Sequence, residues 1–71
     1  MIHEQLKAFG VNRLPGRLKS MVEQDFTEDE IMAEVAVCCR IFTHLAKLNA
    51  LLENEKEFLD KFGPIVEQYF W

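Results

Sequence analysis

The chain has 71 residues, 49% of them hydrophobic, and a formal net charge of −4. A single domain of this size buries only about 60% of the surface its unfolded form exposes, so its stability must come from dense packing or from association. Six Phe, one Tyr and one Trp argue against disorder. The charge is polarised: residues 1–20 set Lys7, Arg13, Arg17 and Lys19 against Glu4, whereas the remainder is strongly acidic. An acidic body argues against a protein dedicated to nucleic acid, which would need an extended basic face.

The first expected element is a short amphipathic helix carrying Ile2, Leu6 and Phe9 on one face and ended by Gly10. Pro15 restricts Leu14 to an extended conformation. A second helix is expected from Pro15 to about Gln24, with Leu18, Met21 and Val22 turned inward. Residues 1–25 together form a basic N-terminal helical segment.

The strongest local signal follows. In the stretch "FTEDEI", Thr27 is a good N-cap and Glu30 completes a capping box, while Phe26 and Ile31 are spaced as a hydrophobic staple. Glu28 and Asp29 add negative charge to the first turn, where the helix dipole favours it. From here a long central helix is expected over 27–62, with a possible break near Asn54, where Asn54 and Glu57 form a second N-cap and N3 pair. Gly63-Pro64 reads as a stop. Pro64 would then open a short aromatic helix over 64–71.

Between Glu28 and Glu53, 16 of 26 residues are Ala, Val, Ile, Leu, Met, Phe or Cys. A surface helix needs only about three in seven. One apolar seam is formed by Ile31, Val35, Cys38, Ile41, Phe42, Leu45, Leu48 and Leu52, and extends to Leu59. A second face consists of small residues: Ala36, Cys39, Ala46 and Ala50, with Met32 and Thr43. An unbroken helix over Glu28–Phe62 would be roughly 50 Å long, and the preceding segment is too short to cover two of its faces. Either the helix breaks near Asn54 and folds back, or a second chain covers it, or both. The fold class expected is all-α: a small helical bundle around one long central helix, completed by homodimerisation.

Few residues suggest chemistry. Cys38 and Cys39 are adjacent, diverge by about 100° on a helix and cannot bond to each other without distortion. His44 shares a face with neither, and a zinc site needs four ligands at characteristic spacings. No metal and no cofactor is expected, nor is catalysis: Ser20 is the sole serine, and no glycine-rich phosphate loop is present. The N-terminus lacks a charged n-region followed by an apolar core. The longest apolar run of the central region, Val35–Cys39, is far short of the roughly 20 residues that span a bilayer. A cytoplasmic protein without a membrane segment is the expectation.

What remains points to binding. Tyr69, Phe70 and Trp71 end the chain, and adjacent helical residues cannot all face one core. Aromatic and arginine side chains anchor protein interfaces. The function expected is a non-catalytic adaptor, inhibitor or regulator that docks another protein helix-on-helix through Tyr69, Phe70 and Trp71, oriented by Arg13, Arg17 and Lys19. One alternative is a DNA-binding regulator led by those same three basic residues. Another is a structural subunit of a larger assembly.

Overall fold

A computed structural model describes residues 2–70, and every element found among them is helical. The helix α1 covers Ile2–Phe9 and presents Ile2, Leu6 and Phe9 inward, as their spacing requires. Gly10 follows with φ of +118°. A Cβ there would lie 3.1 Å from the Arg13 side chain, so glycine is required both by the turn and by the packing of that arginine. A single turn of 3-10 helix over Val11–Arg13 leads to Leu14, which is extended ahead of Pro15. The next helix, α2, covers Leu18–Glu23 and buries Leu18, Met21 and Val22.

Asp25 takes a left-handed conformation and closes α2. The Phe26 amide donates to the Met21 carbonyl and the Asp25 amide to the Val22 carbonyl, the paired bonds of a Schellman motif. The chain then enters α3, Glu28–Lys47, through the capping box expected from its sequence: the Glu30 amide donates to the Thr27 hydroxyl, and the Thr27 amide to the Glu30 carboxylate. Ile31 is fully buried and Phe26 packs against the same core.

One helix over 27–62 is not formed. α3 ends at Lys47, and the signal that ends it is Asn49, in the left-handed conformation that asparagine tolerates better than most residues. The Ala50 amide donates to the Leu45 carbonyl and the Asn49 amide to the Ala46 carbonyl, a second Schellman motif. The chain turns through Leu48–Leu52 and returns as α4, Glu53–Phe70. Asn54 is not the cap of α4, which has already begun. The Leu52 amide is instead satisfied by the Glu55 carboxylate.

Gly63-Pro64 does not stop α4, and no separate helix starts at Pro64. Proline costs an interior helix one amide and crowds the carbonyl four residues back. Here Pro64 is exposed, which leaves the Asp60 carbonyl open to water, and the glycine before it carries no Cβ to clash with the ring.

α3 and α4 form an antiparallel hairpin, since Thr43 and Leu59 share one end of their groove while Tyr69 of α4 donates a hydrogen bond to Asp29 of α3 at the other. α1 and α2 close over the hairpin's inner side. The core joins all four helices. Its centre is aromatic: Phe58 lies edge-on to Phe9 and Phe42 with ring centroids 5.7 Å apart, and 4.7 Å from Phe62. The whole measures 33 × 28 × 17 Å, shorter than an unbroken central helix would be.

Candidate interaction surface

The apolar seam divides between interior and surface. Ile31, Val35, Cys38 and Phe42 are buried by the chain's own α1, α2 and α4, and Leu45 and Leu59 pack partly against the same core. These six residues are covered without a second copy. Leu48 and Leu52 lie at the hairpin turn, 75% and 67% exposed.

Arg13 is engaged within the chain. It is the last residue of its short turn, and its guanidinium lies 4.3 Å from the centre of the Phe9 ring. It donates to the Phe9 carbonyl and to Asn54 Oδ1 at 2.8 Å, and it pairs with the Glu57 carboxylate. Asn54 returns a bond to the Arg13 carbonyl at 3.0 Å. The asparagine and glutamate that resemble a helix cap in sequence thus tether the N-terminal segment to α4. Arg17 and Lys19 are exposed, at the start of and within α2. The three basic residues do not act as one unit.

Tyr69 and Phe70 lie in the last turn of α4, 43% and 54% exposed, with their rings edge-on 5.1 Å apart. The Tyr69 hydroxyl donates to Asp29, and this hydrogen bond, by stabilising the protonated phenol, shifts the ionisation of Tyr69 upward. Trp71 lies outside the described residues.

Next to these rings runs a groove of about 500 Å³ between α3 and α4. The α3 side contributes Ala36, Cys39, Arg40 and Thr43, and the α4 side Leu59, Gly63, Val66, Glu67 and Phe70. Of the small-residue face read from sequence, Ala36, Cys39 and Thr43 line this groove, whereas Ala46 and Ala50 are exposed outside it and Met32 is buried in the core. Ala36, Cys39 and Thr43 keep α3 slim and Gly63 does the same for α4, leaving a channel open where larger side chains would fill it. Arg40 and Glu67 provide one charge of each sign along it.

Comparison with family models, curated proteins and solved structures gives no match for the chain. The residues themselves must carry the functional reading.

The cysteines are unsuited to nucleophilic chemistry as they stand. Both are buried. Burial pushes the Cys38 thiol up to about 12, with further contributions from Glu34 and Cys39, and pushes Cys39 up to about 11. A nucleophilic cysteine needs the opposite shift. Among the described residues no three metal-donor side chains gather at one point, and no helix is long and apolar enough to cross a membrane.

Ile41 and Leu48, read from sequence as part of the inner seam, belong instead to an outer surface that sequence did not distinguish. Val37 and Ile41 are 48% and 51% exposed on the side of α3 that faces away from the core. With Ala33, His44 and Leu48 they fall within about 80° of arc on a helix advancing about 100° per residue. The spacing 37, 41, 44, 48 is the 4-3-4 step of a helix-packing seam and was visible in the sequence, masked by the denser apolar series on the inner face.

Proposed function

We propose that this protein is a non-catalytic interaction module that acts by docking another protein against the α3–α4 hairpin, in the role of an adaptor, inhibitor or regulator. The observation that carries this reading is the open groove beside the exposed Tyr69 and Phe70 rings, in a chain that has already closed its own core. Monomeric proteins rarely leave contiguous apolar surface uncovered unless it is used. The occupant that fits is the apolar face of a helix, whose aliphatic or aromatic anchor enters the channel between Ala36 and Gly63. Arg40 and Glu67 on opposite walls select a polar rim of complementary, opposite sign, and Phe70 contributes the aromatic contact typical of an interface anchor. Homodimerisation accompanies this reading as a second proposed property.

The test places a photo-crosslinking side chain at Thr43 in the groove and, in a separate variant, at Lys19 on α2. One protein recovered from the Thr43 variant alone, and lost when Phe70→Ala and Ala36→Trp are added, is the expected outcome. Equal recovery from both positions, or recovery indifferent to those substitutions, contradicts groove docking.

A further inference from the structure

The outward face of α3 carries Ala33, Val37 and Ile41, continued by Leu48 just past its end, along about four turns of helix, opposite the side that builds the core. Its charges are sorted along the axis. On or beside this face, Glu30 and Glu34 occupy the first half of the helix and His44 and Lys47 the second, whereas Glu28 turns toward α1, Asp29 is held by Tyr69 and Arg40 lines the groove. A helix that is acidic at one end, basic at the other and apolar between them complements its own reversed copy. In a parallel arrangement the same charges would oppose like against like.

We infer that α3 pairs antiparallel with α3 of a second copy of this chain, about a two-fold axis that sets Val37 opposite the partner's Ile41 and Ile41 opposite the partner's Val37. This register places Glu34 opposite the partner's His44, and brings Glu30 near the partner's Lys47. Leu48 then lies over the aliphatic stem of the partner's Glu30. Such a contact is isologous, so each favourable pair occurs twice. It deepens the dimer named in the proposed function, and it uses none of the groove residues or the two terminal aromatics, so either surface stands if the other fails. A contact between single helices of about four turns falls short of the roughly 800 Å² per partner of a standard interface. The association is therefore concentration-dependent, with a Kd in the micromolar range or above.

Sedimentation velocity between about 5 and about 500 μM tests it. The wild-type chain is expected to shift from monomer toward dimer, and the shift to weaken with added salt. Ile41→Glu, exposed and therefore compatible with the fold, is expected to weaken association at least tenfold with unchanged helical circular dichroism. Tyr69→Ala with Phe70→Ala is expected to leave it intact, which separates this surface from the groove. Glu34→Lys and His44→Glu are each expected to weaken self-association, whereas mixing the two variants restores a dimer, because the introduced lysine then meets the introduced glutamate while the native pair is kept on the other side. A wild-type chain monomeric throughout, an Ile41→Glu variant that dimerises like wild type, or a mixture that fails to recover would overturn the inference.

Discussion

The inner and outer faces of α3 carry similar side chains and meet opposite fates. Inside, Ile31, Val35 and Phe42 are almost wholly withdrawn from water by α1, α2 and α4. Outside, Val37 and Ile41 remain half exposed, with charges sorted by sign at the two ends of the same face. The difference is one of reach. A chain of 71 residues can wrap one side of a 20-residue helix and no more. Apolar content alone thus does not tell an inner face from an outer one; which side the rest of the chain reaches decides that.

This contrast can be broken most severely from within. Phe58→Ala removes the ring on which Phe9, Phe42 and Phe62 converge, and should cost about 3–5 kcal/mol, comparable to the total stability expected of a domain this small. Thermal unfolding should show a chain largely unfolded at room temperature. A cooperative transition near that of wild type would mean that the aromatic centre is not what joins the helices.

The buried cysteines sharpen the same point through pH. Their folded thiols ionise at about 12 and about 11, above their ordinary value of 9.0. Between these limits the folded state holds protons that the unfolded state has released. Stability is therefore complete below about pH 9 and falls as pH rises toward the folded values. Denaturation midpoints measured from pH 7 to 11 should decline over the upper part of that range. At pH 8 both thiols should react with iodoacetamide far more slowly than in denaturant, and equal rates would show that the inner face is open.

Smaller effects follow at the edges of the core. Arg13→Ala removes the contact over Phe9 and the bonds to Asn54 and Glu57, all partly exposed to water, for an expected loss of about 1 kcal/mol. Thr27→Ala deletes the cap of α3 and should also cost about 1 kcal/mol. Smallest of all, Ile41→Glu should change the stability of the monomer by no more than about 0.5 kcal/mol. A large loss there would place the outer face in the core after all.

Much of this architecture was legible from residues alone. The Thr27–Glu30 box, the buried trio of α1 and that of α2 were readable because each signal is local: a side chain meets a backbone group or a face within a few positions. The turn of the hairpin was legible only as a possible break near Asn54; its position was hidden because its marker is Asn49 rather than glycine, and a left-handed asparagine has no distinctive neighbours in sequence. Gly63-Pro64 misled for the opposite reason, since a proline on the water-facing side of α4 is tolerated by packing that sequence does not display. Asn54 and Glu57 had the spacing of a cap, yet their partner is Arg13, 41 and 44 positions away. The groove was half legible, in that small residues marked its α3 wall, but the α4 wall emerged only once the chain had turned back. The outer stripe was present in the sequence at 37, 41, 44 and 48, and only its exposure required the structure.

The central claim is that one face of α3 is closed by its own chain while the other is left for a second. Amide shifts followed by nitrogen-15 NMR over a dilution series test it most directly. The account predicts that the resonances of Ala33, Val37, Ile41, His44 and Leu48 move with concentration while those of Val35, Phe42 and Phe58 stay fixed. Movement or loss of the second group on dilution would contradict it, because the core would then belong to two chains rather than one.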